Sequence, residues 1–418
     1  MARAQSRPPT EAGGSGTGRR REPTAGRLRT IVILGGLTAV APLSLDMYLP
    51  ALPQLADDLS TSASTAQLTL TACVFGLALG QAVAGPLSDA WGRRRPLMIG
   101  LAAYAVASLL CVAAPNVQTL IALRLVQGMT GSAGIVIARA VVRDRYDGAA
   151  AARYFSALML VNGLAPILAP VLGGQLLRVT PWPGVFAVLA GIGVALLLAA
   201  LAWLEESLPP ERRATSGLGA TLRTFRSLLA DRTFAGYAAA LALSFAGLFA
   251  YISGAPFVLQ DIFGLSPQAF SVVFGVNALG IVAAGQVGGR LAGRVALRRL
   301  LGVGLAVETV GAAALVSAVL AGAGLAAVLP ALFLVVAAQG LVMPNSTALA
   351  LSGRPPRVAG SASALVGVGQ FAIGGAVAPL TGIAGPDTAV PMAVTIAVVA
   401  VGAVAAAVAA RPRIASPG

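Results

Sequence analysis

The stretch GPLSDAWGRRRP at residues 85–96 decides the fold, because it is a short basic segment between two long apolar ones. Each apolar neighbour is about 20 residues long, enough for a helix that crosses the hydrocarbon core of a bilayer. Twelve such segments occur, near residues 30–52, 65–87, 97–115, 118–140, 154–178, 184–204, 233–256, 268–289, 300–321, 328–350, 359–383 and 389–410. The sequence therefore predicts an all-α membrane protein with twelve transmembrane helices.

Arginine, the only basic residue type in the chain, falls almost entirely in every second gap between these segments. The alternate gaps contain one arginine, Arg178, and four acidic residues. Since cytoplasmic loops carry the excess of basic residues, both chain ends are predicted to be cytoplasmic. The net charge of +14 then reflects topology. A nucleic-acid partner is not expected, because no soluble domain gathers the basic residues on one surface.

Composition also limits the chemistry. The chain has no histidine, which excludes Ser-His and Cys-His nucleophilic sites, the HExxH zinc motif and histidine proton relays. Without paired acidic residues at the membrane midplane or an added soluble domain, no enzyme active site is predicted. No metal site or cofactor is predicted either. An even number of helices in two halves does not suit a seven-helix receptor.

The two halves of the chain repeat one another. Four residues of the quoted loop recur 204 residues later: Gly85, Leu87, Arg94 and Arg95 return as Gly289, Leu291, Arg298 and Arg299. Ala169-Pro170-x-x-Gly173 recurs as Ala378-Pro379-x-x-Gly382, and Gln127-Gly128 recurs as Gln339-Gly340. Duplicated six-helix halves are typical of carriers that rock two bundles around a site at the membrane midplane.

This repeat predicts two pseudo-symmetric six-helix bundles with flanking and linking segments. The predicted regions are a disordered Arg-rich cytoplasmic tail at 1–29, a first bundle at 30–204, a cytoplasmic linker at 205–232, a second bundle at 233–410 and a cytoplasmic tail at 411–418.

The basic loop at 85–96 resembles the signature loop of the major facilitator superfamily, G-x-L-x-D-[RK]-x-G-R-[RK]. It departs from that pattern at Ala90, where a basic residue is usual, and its repeat has Gly293 in place of the aspartate. The resemblance implies the twelve-helix fold of that superfamily and a loop that helps to gate transport. The alternative is a solvated basic loop that topology alone requires.

The residue types in this loop predict its contacts. Gly85 and Gly92 would let backbones approach closely, and Asp89 would accept hydrogen bonds from the amides of a neighbouring helix N-terminus. Arg93–Arg95 would remain in the headgroup layer. Such contacts would hold the inner side shut and release as the halves rock. The residues predicted to gate transport are Gly85, Asp89, Gly92, Arg93, Arg94, Pro170, Gly173 and Gly174.

The fourth apolar segment contains a charge. LIALRLVQGMTGSAG at 120–134 resembles a second motif of the superfamily, and Arg124 at the membrane centre would cost about 2.5–3.5 kcal/mol on insertion scales. Arg124 and Asp46 each lie about six residues from the outer surface, on segments that line the same cavity in this fold. We therefore predict a direct or water-bridged Asp46–Arg124 pair. Alternatively, Arg124 snorkels to the interface, or Asp46 belongs to the outer helix end beside Pro50.

Two further stretches narrow the resemblance. Asp46 lies in SLDMYLPALP at 44–53, and NGLAPILAPVLGGQL at 162–176 contains Pro170-x-x-Gly173-Gly174, with Ala169 where glycine is usual. Together with the two superfamily motifs, they are similar to the bicyclomycin and chloramphenicol resistance (Bcr/CflA) group of drug–proton antiporters over residues 30–410. Proline and glycine here would bend the fifth helix and allow close packing against a neighbour.

The resemblance implies a monomeric carrier of the bacterial inner membrane that exports small amphiphilic antibiotics, driven by the proton gradient. Asp46 would carry the proton, with its affinity tuned by Arg124. The alternative is a carrier of the same fold that moves a metabolite. Glu308 is expected to be paired structurally or to face lipid, rather than to couple transport.

The predicted substrate-binding residues are the polar side chains of the apolar segments. They are Asp46, Gln127, Asn162, Tyr251, Asn277, Gln339, Asn345 and Gln370. For each of them an interhelical hydrogen bond is the alternative to ligand contact. Few fixed charges line such a cavity, which favours neutral amphiphilic drugs over sugars or organic anions.

Overall fold

The computed structural model describes residues 24–146, 148–213, 225–352, 356–385 and 387–410. Within these ranges, twelve helices are long and apolar enough to cross a membrane. The predicted all-α, twelve-helix fold class is therefore confirmed.

The helices are numbered here in chain order. They are α1 (Thr24–Asp46), α2 (Ala63–Trp91), α3 (Arg94–Val112), α4 (Val117–Arg145), α5 (Gly148–Leu176), α6 (Pro183–Trp203), α7 (Arg232–Phe257), α8 (Pro267–Leu291), α9 (Leu297–Leu320), α10 (Leu325–Leu351), α11 (Pro356–Val377) and α12 (Val390–Ala409). Short elements follow four of them: a 3₁₀ turn at Leu49–Ala51 and a helix at Leu52–Asp58 after α1, a 3₁₀ turn at Pro210–Arg212 after α6, a π-helical turn at Val258–Ile262 after α7, and a 3₁₀ turn at Ala378–Gly382 after α11.

The first helix differs from its predicted span at both ends. It begins at Thr24, so residues 24–29, predicted as disordered tail, are helical; residues 1–23 lie outside the described ranges. It ends at Asp46, whereas the prediction continued it to residue 52. Pro50 explains the end, because a proline ring clashes with the carbonyl group four residues earlier, here that of Asp46. The residue predicted to carry the proton therefore stands at a helix C-terminus.

Side-chain caps begin four of the helices. Ser62 accepts a hydrogen bond from the Thr65 amide at the start of α2, and Asn116 accepts one from Thr119 at the start of α4. Asp231 and Ser266 do the same for α7 and α8. A capping side chain of this kind stabilises a helix by about 1 kcal/mol. The caps fix where these four helices begin.

The repeated Gln-Gly pair has the same packing role in each half. A Cβ atom on Gly128 would lie 2.0 Å from the carbonyl oxygen of Cys73, and one on Gly340 would lie 2.2 Å from that of Ile281. Only glycine permits such close approach of α4 to α2 and of α10 to α8. The duplication inferred from sequence is thus visible in the packing.

Candidate functional site

The candidate site is centred on Asp46, a buried carboxylate between the two halves. Its residue is 7% exposed, and among the described residues its side chain has no hydrogen-bond or ion-pair partner. The 3₁₀ turn Leu49–Ala51 that follows it contacts α7 and α8 of the second half. Burial of a carboxylate without a partner is costly unless a proton neutralises it. The Asp46 carboxylate can therefore bind a proton.

Arg124 is completely buried, which corrects the alternative that it snorkels to the interface. The predicted direct pair with Asp46 is also absent, since the two side chains form no ion pair. Arg124 instead donates from Nη2 to the Ser44 carbonyl oxygen at 2.9 Å, and its guanidinium carbon lies 4.4 Å from the Tyr48 ring centroid and 5.5 Å from that of Phe186. The cation is balanced by the C-terminal carbonyl end of α1 and by aromatic faces.

A hydrogen-bonded cluster surrounds this arginine. Arg124 donates to Gln127 Oε1, and Gln127 Nε2 donates to Ser108 Oγ at 2.7 Å. Ser44 Oγ donates to the Val40 carbonyl at 2.6 Å and lies 2.7 Å from the Tyr104 hydroxyl. Because Ser44 has one hydroxyl hydrogen, Tyr104 is the donor in the second contact. Both polar atoms of the Gln127 side chain are thus bonded inside the bundle, and the residue is completely buried in this conformation.

The second half contains a matching cluster around an acid. Glu308 of α9 is completely buried, so it does not face lipid, and its Oε2 lies 2.6 Å from Ser244 Oγ of α7. Gln339 of α10 donates from Nε2 to Glu308 Oε1 at 3.3 Å and to Ser244 Oγ at 2.9 Å. The Gln339 amide is enclosed and bonded in this conformation, and its ligand contact stays a prediction.

The other predicted substrate-binding residues are distributed differently. Tyr251 and Asn277 are buried and bonded to each other, with the asparagine Nδ2 2.8 Å from the tyrosine hydroxyl. Asn162 and Asn345 donate to carbonyl groups of their own helices, at Leu158 and Leu341. Gln370 is partly exposed and makes no side-chain hydrogen bond among the described residues. Of the predicted set, only Asp46 and Gln370 make no side-chain hydrogen bond among the described residues.

The halves meet at the face away from the basic loops, which we call the opposite face. Among the described residues, five hydrogen bonds join the halves, and each runs from a side chain to a backbone carbonyl oxygen. They are Ser64 to Pro379 (2.9 Å), Gln67 to Ser253 (3.1 Å), Thr71 to Gly375 (2.8 Å), Gln268 to Gly174 (2.8 Å) and Ser271 to Pro170 (2.8 Å). All lie in the part of each helix nearest the opposite face, which is therefore closed.

The PxxGG sequence of α5 lies in this closed layer. A Cβ atom on Gly173 would lie 1.8 Å from the carbonyl oxygen of Met47, next to Asp46, and one on Gly174 would lie 2.4 Å from Ser271 Oγ of α8. The two glycines thus bring α5 against α1 on one side and against α8 on the other. In both copies of the Ala-Pro-x-x-Gly repeat, the proline carbonyl accepts a serine hydroxyl from the other half.

Towards the basic loops, α5 and α8 separate. A cleft of about 600 Å³ opens between them, lined by Phe155, Met159, Leu164, Val282 and Gln286 among others. Gly163, at its wall, has nothing within 4 Å of where a Cβ would stand. The halves are therefore joined at the opposite face, and this cleft separates α5 from α8 towards the basic loops.

The signature loop makes its contacts within the first half. Arg93 is buried, donates from Nε to Asp144 Oδ2 of α4 at 2.9 Å, and pairs with Asp89. This corrects two expectations: Asp89 binds an arginine rather than helix amides, and Arg93 lies inside the protein rather than in the headgroup layer. Burial opposes the charge of Arg93, but its hydrogen bonds to Asp144 and Asp89 outweigh that effect and raise its pKa.

Glu206, which follows α6, provides the helix cap expected of Asp89. Its carboxylate accepts hydrogen bonds from the backbone amides of Arg93 (2.8 Å) and Arg94 (3.1 Å) at the start of α3. Burial acts to raise the pKa of Glu206, and these amides together with that of Leu208 outweigh it and lower the pKa. Sequence gave no signal for this contact, because Glu206 lies 113 residues from its partner Arg93.

The two loop glycines behave differently. Gly92 has φ +89°, and a Cβ there would lie 2.5 Å from Glu206 Oε2, so glycine is required for both backbone and space. Gly85 corrects the prediction of close approach: its nearest neighbour would be Val136 at 3.9 Å, an ordinary contact.

The equivalent loop of the second half has no such network. Arg290, Arg294, Arg298 and Arg299 are exposed, and no ion pair joins them to an acid among the described residues. Gly293, in the place of the signature aspartate, has φ +85° and nothing near it. Within the part of the chain that the structure describes, buried charges hold the basic loop of the first half and not that of the second.

One protein family and several known proteins are similar to this chain. A family model described as Major Facilitator Superfamily matches residues 34–379. The chain is 43% identical over 377 residues to the uncharacterised MFS-type transporter YdgK of Bacillus subtilis, covering 90% of this chain and 93% of that protein. It is 31% identical over 367 residues to the bicyclomycin resistance protein homolog of Haemophilus influenzae, covering 87% and 92%.

Among solved structures, the fold matches a bacterial homolog to the human lysosomal transporter Spinster in an inward-facing and unoccupied conformation. The TM-score is 0.72 at 16% sequence identity, with 93% of this chain and 97% of that chain covered. At this identity the likeness concerns the fold alone.

Proposed function

The chain belongs to the Major Facilitator Superfamily, and on that premise we propose that it exports small amphiphilic antibiotics, such as chloramphenicol- or bicyclomycin-like compounds, in exchange for protons. The family and fold are those of transporters, and the chain is a multi-pass membrane protein. The named relative in Haemophilus influenzae is a bicyclomycin resistance protein homolog. That name supports the substrate class.

The observation that carries the proton coupling is the state of Asp46. It is a buried carboxylate without a protein partner, at the end of α1, beside the turn that touches the second half. A proton neutralises it while the opposite face is closed. Opening of that face moves the second half away from the turn after α1, gives Asp46 access to water and changes its affinity for the proton.

Arg124 acts in this proposal as a fixed positive charge. Its guanidinium donates hydrogen bonds to the Ser44 carbonyl oxygen and to Gln127. Ser44 lies two residues before Asp46 on α1. A nearby cation favours the ionised form of a carboxylate. Movement of the α1 end relative to Arg124 would therefore change how tightly Asp46 holds its proton.

Alternating access uses two sets of contacts, one at each face of the protein. The five side-chain-to-carbonyl hydrogen bonds close the opposite face here, and the charge network of Arg93, Asp89 and Asp144 lies ready at the basic face. With the basic face cytoplasmic, as the arginine pattern predicts, this conformation opens to the cytoplasm and receives drug there. Both termini are then cytoplasmic in the bacterial inner membrane. The proton gradient drives the cycle without a cofactor, and one chain suffices.

Accumulation of labelled chloramphenicol in efflux-deficient bacteria tests the proposal, with and without this chain, before and after a protonophore. We expect the chain to lower accumulation, and the protonophore to abolish the difference. Unchanged accumulation of chloramphenicol, bicyclomycin and sulfonamides would contradict drug export. Raised accumulation would reverse the direction and favour a metabolite importer.

A further inference from the structure

The second half buries an acid that the proposed cycle does not use. Glu308 is completely enclosed, and α7, α10 and α12 complete its surroundings. The titratable groups on these helices and on α9 are Arg232, Tyr237 and Tyr251 of α7 and Arg298 and Arg299 of α9; α10 and α12 have none. Arg299 is nine residues from Glu308, about 14 Å along the helix. Among the described residues, no cation forms an ion pair with this carboxylate.

The hydrogen-bond geometry around Glu308 requires one more hydrogen than an ionised acid supplies. If Glu308 were ionised, the single hydroxyl hydrogen of Ser244 would go to it at 2.6 Å. Gln339 Oε1, which lies 3.2 Å from Ser244 Oγ, would then have no donor among the described residues. The Gln339 amide cannot be reversed, because its Nε2 lies 3.2 Å from the Ser244 carbonyl oxygen, where only a donor fits.

A proton on Glu308 closes the ring. The Glu308 hydroxyl donates to Ser244 Oγ, the Ser244 hydroxyl donates to Gln339 Oε1, and Gln339 Nε2 donates back to Glu308 Oε1. Every polar atom then has a partner, which matters because an unsatisfied buried acceptor costs about 1–3 kcal/mol.

The equivalent position in the first half supports a protonated Glu308. Tyr104 and Glu308 are 204 residues apart, the same offset as Gly85 and Gly289. Tyr104 is a neutral hydroxyl that donates to Ser44 of the first helix in its half. A protonated Glu308 would present the same donor to Ser244 of α7, the first helix of its own half.

We propose that Glu308 is a second proton-binding site, built by α7, α9 and α10 of the second half and occupied in this conformation. Its role in coupling rests on the proposed function, since the proton it holds would be a transported one. Ser244, Glu308 and Gln339 lie on three separate helices of the second half, so a shift of these helices relative to one another breaks the ring, and in antiport the proton then leaves on the cytoplasmic side. Occupancy itself depends on no drug.

Infrared difference spectroscopy of the full chain in lipid tests occupancy. At neutral pH we expect the wild type to show a protonated-carboxyl band of one group that Glu308→Gln loses and Asp46→Asn retains. Glutamine keeps an N–H donor towards Ser244, so the fold is preserved. Ser244→Ala should shift the same band, because its hydrogen bond is lost. Identical carboxyl bands in the wild type and Glu308→Gln would overturn the proposal.

Drug transport in everted vesicles with an imposed gradient of one pH unit, and the electrical potential collapsed, tests coupling. Each coupled proton multiplies the attainable drug gradient about tenfold per pH unit. Glu308→Gln should therefore lower the steady-state chloramphenicol gradient about tenfold, whereas Asp57→Asn, at an exposed position, should leave it unchanged; an unchanged gradient in Glu308→Gln would overturn the coupling role. Absence of any wild-type transport would count against the proposed function alone, since the infrared band decides occupancy separately.

Discussion

The two halves share one scaffold and bury different ionisable residues in it, a base in the first half and an acid in the second. In the first half, a serine of α1 and a glutamine of α4 enclose Arg124; in the second, a serine of α7 and a glutamine of α10 enclose Glu308. The basic loops differ as well, since the first is held by an ion-pair network and the second has exposed arginines. Duplication thus conserved the packing positions, while the charges diverged, and the halves are not interchangeable.

The largest effect is expected for a substitution at Asp46, in the first half. Asp46→Asn removes the carboxylate that takes up the proton, so proton-driven chloramphenicol export from everted vesicles should be abolished while drug binding stays measurable. Asp57→Asn, in the exposed end of the helix that follows, is the matched control and should export normally. Full export by the Asp46 variant would disprove its role.

The next effect concerns the closed face. Gly173→Ala would force a Cβ to within 1.8 Å of the Met47 carbonyl, and overpacking of this kind costs about 1–3 kcal/mol. We expect a clear fall in the thermal unfolding midpoint in detergent. Gly163→Ala of the same helix, with open space around it, should be neutral or slightly stabilising.

Gly382 is the counterpart of Gly173 in the second half and provides a second test of close packing. At Gly382 the nearest atom would be the Ser64 amide nitrogen at 2.8 Å, so Gly382→Ala should lower the midpoint less than Gly173→Ala. Equal losses at Gly163 and Gly173 would show that close approach is not what the motif provides.

A smaller effect separates the two basic loops. Asp144→Asn weakens the charge-assisted hydrogen bond to buried Arg93, which we expect to cost about 2 kcal/mol of unfolding free energy. Arg294→Gln in the equivalent loop removes an exposed charge without an acid partner and should change stability by less than about 0.5 kcal/mol. Comparable losses in chemical unfolding of both variants would mean that the loops are equivalent after all.

The smallest effect depends on pH. The pKa of Glu206 lies below its ordinary value of 4.5 in the folded protein. Its contribution is therefore fully present above that ordinary value and is lost as the pH falls through the lower folded one. Glu206→Gln should cost about 1 kcal/mol at pH 7, as loss of a helix cap does, and the difference from wild type should shrink on acidification. A gap that widened in acid would reverse this assignment.

Sequence predicted the helices, because a membrane requires long apolar segments, but it missed the end of α1, which Pro50 stops at Asp46. It also identified Asp46 and Arg124, since charges in apolar segments are conspicuous. It did not predict where Arg124 points: depth along a helix leaves the direction around the helix open. The presence of Pro50 four residues after Asp46 was the available signal, because it leaves carbonyl groups at the end of α1 that can satisfy a cation.

Contacts between distant segments were beyond sequence. Glu206 caps α3 and Asp144 binds Arg93 only because α3, α4 and the segment after α6 converge at the basic face. A single sequence carries no information on such convergence when each residue lies in an ordinary polar loop. Gln127 and Gln339 show the reverse case: their place in the repeat was visible, but their enclosure within each half was not.

The five hydrogen bonds across the opposite face set an energy scale for switching. Each donor is a serine, threonine or glutamine side chain, and each acceptor is a backbone carbonyl. At about 1 kcal/mol per bond they total about 5 kcal/mol. A shift of two-state populations from 1:99 to 99:1 takes about 5.5 kcal/mol. Since the acceptors belong to the main chain, single substitutions of the donors can adjust this balance about fivefold at a time, without rebuilding the fold.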